Sequence, residues 1–184
     1  MESAQIIPPK LLEKYTDFTL VQQGFSHKTF KAISRESNQN CIIRVLDVHS
    51  QEYLKNRDLA TTTFLQEALY TCLRLGLTEP SEVILKDFEV SGNLIAFVLR
   101  ESCSPLSMKD VSLLRENIEQ MSKGVAADLV YLSKHLKIAT KKKINLQNIY
   151  HSVISDTFFL AGWAENLFNE QEVIYSVSSH HSLS

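Results

Sequence analysis

The chain of 184 residues has only three cysteines, no long apolar run and no excess of either charge. The cysteines are odd in number and far apart, which argues against a disulfide framework and favours reduced, mostly buried thiols. No apolar run approaches the roughly 20 residues that span a bilayer, and the amino terminus lacks the basic start and apolar core of a secretory leader. The sequence therefore predicts a cytoplasmic or nuclear protein without a membrane segment.

Several kinds of functional motif are also missing. A net charge of -2 gives no general attraction to nucleic acid, and the run of three lysines at 141–143 has no interleaved aromatic residues. A solvated loop is therefore favoured for that run over a phosphate or RNA contact. His180 and His181 lack metal-ligand spacing with the cysteines, and no P-loop, H-E-x-x-H or G-x-S-x-G pattern occurs. We expect no nucleic-acid partner and no metal.

The hydrophobic content of 44% is enough for a real core, and the first hundred residues read as a sheet with one long helix. Strand patterns lie at residues 18–21, 29–33, 41–46, 83–90 and 93–99, the last two joined by a turn at Ser91-Gly92. A helical pattern runs from about residue 50 to 75, with Gly76 as its expected stop. Its apolar stripe comprises Leu54, Phe64, Leu65, Ala68, Leu69, Cys72 and Leu73.

The second part of the chain begins with helix and ends with two short strands. Ser107 is a plausible helix cap, and residues 113–135 have a helical period. A loop at 138–143 precedes strands at 149–153 and 157–161, and the polar residues 165–184 are expected to form a disordered tail. The fold class is predicted to be α+β.

This order of elements resembles a protein kinase domain over about residues 15–164. The resemblance implies an amino-terminal lobe at 15–100, with a five-stranded antiparallel sheet and one long helix. A hinge and a truncated helical carboxy-terminal lobe, with its first helix and short strands, would follow at 101–164. In the segment VQQGFSHKTFKA, which resembles the family's glycine-rich turn, only Gly24 remains. Gln22 and His27 would crowd the phosphate space there, and a plain hairpin is the favoured explanation of the segment taken alone.

The family's lysine and glutamate pair is matched by Arg44 in CIIRVLD and Glu67 in FLQEALYTCLRL. Because arginine binds carboxylate bidentately but is too bulky to replace a compact phosphate contact, a structural bridge is favoured over a nucleotide clamp. The segment FVLRESCSPLSMKD resembles the hinge, and Leu99, Glu101 and Ser102 would line an adenine pocket there.

The segment KKKINLQNIY resembles the kinase catalytic loop, and Asn148 matches the family's metal-binding asparagine. Lys143 then occupies the position of the catalytic aspartate. An ammonium group at neutral pH cannot accept a proton from a substrate hydroxyl, so the usual reaction should not run. The other departures from the motif are Lys141, Lys142 and Asn145.

The segment FFLAGWAE resembles the strand that leads into the family's D-F-G triplet, which is replaced here by Gly162, Trp163 and Ala164. The magnesium-binding aspartate is therefore missing, whereas Trp163 could dock in the core as the family's phenylalanine does. Asp156 precedes this strand in a turn and is a poor substitute ligand.

The resemblance implies an inactive kinase-like domain, a pseudokinase, with no catalytic residue and no required cofactor. Such domains work as adaptors or allosteric partners, so we expect a protein partner, either a kinase or a scaffold. ATP could bind at the degenerate site without strong magnesium dependence. The alternatives are a kinase that retains ATP binding or weak serine/threonine phosphotransfer, and a non-functional fragment. Truncation of the helical lobe would expose the apolar face of residues 113–132.

Overall fold

The computed structural model describes residues 6–23, 27–47, 57–79, 83–101, 103–135 and 146–163. The fold is α+β, and its larger sheet has the strands β1 Tyr15–Gln23, β2 His27–Ser34, β3 Asn40–Asp47, β4 Leu85–Ser91 and β5 Leu94–Arg100. All five are antiparallel, in the order β1-β2-β3-β5-β4. The five-stranded antiparallel sheet confirms the sequence prediction, whereas the strand order was not predicted.

The central strands β3 and β5 are buried on both faces of the sheet and carry the core on alternate side chains. Helix α2, Arg57–Thr78, covers one face. The core on that side includes Ile42, Leu46, Phe64, Ala68, Leu75, Ile95, Phe97 and Leu99. The opposite face encloses a second cluster that includes Leu11, Tyr15, Phe30, Ala32, Cys41, Ile43, Val45, Ala96 and Val98.

Helix α1, Pro9–Lys14, was not predicted from the sequence. It begins with a proline, which suits the first turn of a helix because no intrahelical N–H is lost there. Leu11 is fully buried, and Lys14 donates to Asp87 of β4 at 2.8 Å. Since α1 leads directly into β1, it joins the two edge strands of the sheet. Six residues are too few for an apolar period to reveal such a helix.

Two expectations for α2 were wrong. The helix continues to Thr78, so Gly76 lies inside it; the Glu79 amide donates to the Leu75 carbonyl at 2.7 Å and completes the last turn. Leu69 and Leu73, placed by their spacing on the apolar stripe, point away from the sheet and are 69% and 52% exposed, and Leu54 of the same stripe lies outside the described residues. Phe64 and Ala68 do face the sheet, with Leu65 and Cys72 packed partly against the same core.

The second part of the chain contains a three-stranded sheet in the order β6-β7-β8. Its strands are β6 Cys103–Pro105, β7 Ile149–Ser152 and β8 Thr157–Leu160. The β7–β8 hairpin was predicted, whereas β6 lies in the segment interpreted as a hinge. Ser107 caps a short 3-10 turn, Met108–Asp110, with a reciprocal hydrogen bond to Asp110, as its sequence position indicated.

The long helix predicted for residues 113–135 is two helices, α3 Val111–Glu116 and α4 Ile118–His135. Asn117 separates them because its side-chain amide donates to the Leu113 carbonyl at 3.0 Å. The apolar face of these helices is largely covered rather than exposed: Leu132 is fully buried, and Leu113 and Val125 pack against the core. None of the described helices is long and apolar enough to cross a membrane.

Gly124 lets α4 lie close to β8, because a Cβ there would sit 2.3 Å from the Phe158 carbonyl oxygen. We expect Gly124→Ala to lower the free energy of unfolding by about 1–3 kcal/mol, since the helix must move off the strand. Gly76→Ala is the matched control: a Cβ there has open space and should raise stability by up to about 1 kcal/mol. Urea unfolding of both variants tests this, and effects of the same sign would contradict it.

Candidate functional site

The sheet face under α2 carries polar side chains at the end nearest the β1–β2 turn. Arg44 on β3 is paired across the strands with Thr29 of β2, and Thr29 with Gln22 of β1. His27, two residues before Thr29, lies on the same face. These side chains lie at the end of the sheet where β1 leads into β2, which is where the resemblance would place nucleotide phosphates, and His27, Thr29 and Arg44 are buried there.

Arg44 forms a salt bridge with Glu67 of α2, and the two side chains are only 3% and 0% exposed. The predicted pairing of these residues across the sheet-helix interface is confirmed. Its proposed part in nucleotide binding stays a prediction. A fully desolvated pair of this kind links the two elements strongly only while both members are present.

Two aromatic rings flank the Arg44 guanidinium. Its central carbon lies 5.9 Å from the ring centroid of Phe64 on α2 and 5.7 Å from that of Phe97 on β5. These distances are within the range in which a planar cation gains from the ring quadrupole. The guanidinium is therefore attracted by two aromatic rings as well as by its carboxylate partner.

Glu67 also binds the chain beyond β8. The Gly162 amide donates to its Oε1 at 2.6 Å. Gly162 has φ +71, and a Cβ there would lie 3.2 Å from the side-chain nitrogen of Asn148. The Ala161 amide donates to the Asn148 carbonyl at 2.8 Å. Four positions singled out in the sequence, Arg44, Glu67, Asn148 and Gly162, thus meet in one buried cluster.

His27 closes the end of this cluster. It is buried, and its ring centroid lies 5.4 Å from that of Phe64. Burial lowers the pKa of His27 well below its usual value, and the charge of Arg44 lowers it further. The imidazole is therefore neutral at physiological pH.

The remaining predicted site residues fall into two groups. Trp163 is buried beside Tyr70, Leu132 and Leu160, so its expected docking in the core is confirmed. Leu99 belongs to the core under α2, and Glu101 is half-buried. The residues outside the described ranges are Gly24, Ser102, Lys141, Lys142, Lys143, Asn145, Ala164 and the segment 165–184.

Asp156 lies in the β7–β8 turn as expected, with φ 54, and its carboxylate contacts the His151 Nε2 at 2.7 Å. It is therefore engaged on the surface of the hairpin rather than beside Asn148. Within the described ranges, no group of three His, Cys, Asp or Glu side chains is arranged to hold a metal ion.

The sequence interpretation missed a second buried carboxylate, Asp128 of α4. It accepts hydrogen bonds from the Tyr70 hydroxyl, from Arg74 Nε at 3.1 Å and from the Leu160 amide at 2.7 Å. Burial, together with the bond to Asp128, raises the pKa of Tyr70. The sequence does contain a signal that could have indicated burial of this residue. Asp128 lies three residues after Val125 and four before Leu132, which places it on the apolar face of α4.

A third buried acid, Glu79, follows α2. It pairs with Arg100 of β5 and accepts a hydrogen bond from the Ser152 hydroxyl of β7. Arg100 falls in the segment interpreted as a hinge, and its amide donates to the Ile84 carbonyl at 3.1 Å. That backbone donor is thus already engaged within the protein.

No protein-family model matches the chain, and none of the curated proteins matches it either. The function is therefore argued from the residues and their geometry.

Arg44→Met removes the counter-charge of a fully buried carboxylate. We expect it to lower the free energy of unfolding by roughly 3–5 kcal/mol. Lys123→Met is the matched control, because it breaks the Glu119–Lys123 pair, whose side chains are 81% and 76% exposed. It should lower the free energy of unfolding by less than about 0.5 kcal/mol.

A double-mutant cycle tests whether Arg44 and Glu67 are coupled directly. Glu67→Gln keeps an oxygen that can accept from the Gly162 amide, and it should lower the free energy of unfolding by less in the Arg44→Met background than in the native chain. Additive costs in this double-mutant cycle would contradict a direct coupling.

The buried neutral His27 predicts a loss of stability in mild acid. Its pKa is depressed in the folded state, so below about pH 6.5 the unfolded chain takes up a proton that the folded chain does not. Between pH 7 and pH 5 this should remove about 2 kcal/mol of the free energy of unfolding. Urea unfolding across that range should show this loss of unfolding free energy in the native chain and in His135→Gln, a control at an exposed histidine. In His27→Met the loss between pH 7 and pH 5 should be about 2 kcal/mol smaller. An unchanged pH dependence in that variant would show that His27 is not its cause.

Proposed function

We propose that the chain is a catalytically inactive kinase-like domain that acts by binding a protein partner in the cytoplasm or nucleus. The observation that carries the proposal is the convergence of Arg44, Glu67, Asn148 and Gly162. The resemblance matched these four positions from separate segments of the sequence, and they lie together in space. An unrelated α+β fold has no reason to bring them to one place.

The chemistry of this cluster argues against phosphotransfer. Glu67 is engaged by Arg44 and by the Gly162 amide, and Gly162 offers no side chain where the resemblance requires a magnesium ligand. Magnesium binding depends on carboxylates together with substrate phosphates, so Asn148 alone would make a poor site. Lys143 also stands where the resemblance requires the catalytic aspartate, so the expected proton acceptor is absent from the sequence at that position.

The phosphate side of the cluster is also filled by the protein's own groups. The His27 ring packs on Phe64, and Arg44 is held between Glu67 and two aromatic rings. A nucleotide phosphate could pair with the Arg44 guanidinium only by displacing these contacts. ATP binding, if retained, would therefore depend on the adenine end near Leu99 and Glu101 and respond little to magnesium.

The partner-binding part of the proposal is supported by what remains exposed. The central strands of the sheet are buried on both faces, while α2 presents apolar side chains outward and the edge strand β4 exposes Phe88 and Val90. Exposed apolar surface on a small domain is often an interaction site. A kinase or a scaffold protein is the class of partner that the resemblance implies.

The test is a thermal-shift titration with ATP, with and without magnesium, combined with a phosphotransfer assay on a generic substrate. A ligand that binds only the folded state raises stability with the logarithm of its affinity. Since no carboxylate is expected beside Asn148 to bind magnesium, the ion should leave the affinity for ATP nearly unchanged, and we expect it to change the ATP-dependent shift by less than about 1 °C. We also expect no labelling. The proposal would be wrong if labelling were robust and magnesium-dependent and Lys143→Ala abolished it. Lys123→Ala is the control, since it removes an exposed lysine of α4.

A further inference from the structure

The outward face of α2 carries an exposed row of leucines. Leu69, Leu73 and Leu77 are 69%, 52% and 75% exposed, and their spacing places them along one side of the helix. These three residues are called the leucine row. The opposite face of α2, with Phe64, packs on the sheet. A helix that is apolar on both faces is normally buried on both, so the leucine row is suited to be covered by a further segment.

The described part of the chain ends beside this row. Trp163, the last described residue, is 1% exposed and packs with Tyr70 of α2 in one apolar cluster. Tyr70 comes three residues before Leu73 and seven before Leu77, so it lies on the side of α2 that adjoins the leucine row. The residues after Trp163 therefore start from a point next to the exposed leucines.

The sequence after Trp163 contains an apolar stretch at a suitable distance. Residues 173–177 read VIYSV. The ten residues from Trp163 to Val173 can span at most about 33 Å, whereas the leucine row extends over about 12 Å of helix. In an extended conformation, which β-branched and aromatic residues favour, Val173, Tyr175 and Val177 would share one face and cover about 13 Å. The stretch can thus reach the row and match its length.

The charges around the leucine row also suit this stretch. Residues 173–184 contain no Asp, Glu, Lys or Arg. Of the four charged residues of α2, Glu67 and Arg74 are engaged in ion pairs. Arg57 and Asp58 belong to the first turn of the helix, about 16 Å along it from the nearest leucine of the row. An uncharged apolar segment would therefore cover the row without desolvating an unpaired charge.

We propose that residues 173–177 fold back over α2 and cover the leucine row with the side chains of Val173, Tyr175 and Val177. Because the segment belongs to the same chain, a small contact area is sufficient. A contact whose separate pieces dissociate at about 0.1 mM is occupied about 90% of the time at an effective concentration of about 1 mM, which a short linker provides. A protein partner that used this face of α2 would first have to displace the segment.

Other exposed apolar positions suit this segment less well. Phe88 and Val90 of β4 share their face of the strand with the exposed Lys86. Within the described residues, the apolar cluster around Trp163 comprises side chains of α2, α4 and β8 and none of β4. The inference uses neither the kinase resemblance nor a nucleotide, so its failure would leave the proposed function standing.

Hydroxyl-radical footprinting of the full chain measures the solvent exposure of Tyr175 and of the leucine row. Tyr175 should be modified about tenfold more slowly in the native chain than in Leu73→Glu, because an apolar segment cannot cover a charge in the middle of the row. Leu77→Glu, at a 75% exposed position, should have the same effect without disturbing the core. Val130→Glu adds the same charge to a 53% exposed position of α4 and should leave Tyr175 as slow as in the native chain.

A reciprocal pair of variants places the charge in the segment. Val177→Glu should increase modification of the leucine row, whereas Ser176→Glu, on the opposite face of the extended segment, should not. Native rates should be equal at about 5 and about 500 µM, because a contact within one chain does not depend on concentration. The proposal is overturned if Tyr175 is modified equally fast in the native chain and in Leu73→Glu. Protection that grows with concentration, or that is lost in Val90→Glu of β4 instead, would overturn it too.

Discussion

The buried salt bridge between Arg44 and Glu67 is the interaction on which the arrangement of this protein depends. It joins the centre of the sheet to α2, and through the Gly162 amide it also holds the chain that leaves β8. Burying two charges costs several kcal/mol per ion unless each finds good partners. Here the carboxylate also receives a backbone N–H, and the guanidinium lies near two aromatic rings. The positions of three elements are consequently fixed by one ionic contact.

Glu67 is one of three buried acids that attach the β7–β8 hairpin to the rest of the molecule. Asp128 of α4 binds the Leu160 amide, and Glu79 binds the Ser152 hydroxyl of β7. Each acid also meets an arginine: Arg44 for Glu67, Arg74 for Asp128 and Arg100 for Glu79. The hairpin also packs apolar side chains such as Tyr150, Phe158 and Phe159 into the core, so these charge-assisted hydrogen bonds add three directed contacts to its apolar packing.

Two kinds of feature could be predicted well from the sequence. The strands were placed from a local pattern of apolar runs and turn residues. The Arg44–Glu67 pair was placed from a resemblance that joins distant segments. The errors arose where tertiary contacts override local signals. Gly76 resembles a helix stop, but Glu79 draws α2 onward to reach Arg100. Leu69 resembles a core residue because apolar spacing cannot distinguish the two faces of a helix that is apolar on both. Asp128 was not singled out in the sequence, since its partners in α2 and β8 are distant from it along the chain.

The choice of arginine at position 44 accounts for much of what this cluster can do. A lysine ammonium is a compact, strongly hydrated charge, whereas a guanidinium is planar, less hydrated and able to pair with a carboxylate while its faces contact aromatic rings. Phe64 and Phe97 provide such rings, and His27 stays neutral next to the cation. A side chain held in this way is well placed to bridge a helix and a sheet but poorly placed to follow a phosphate. The position of this residue therefore supports the proposed binding role, in which no phosphate has to be held.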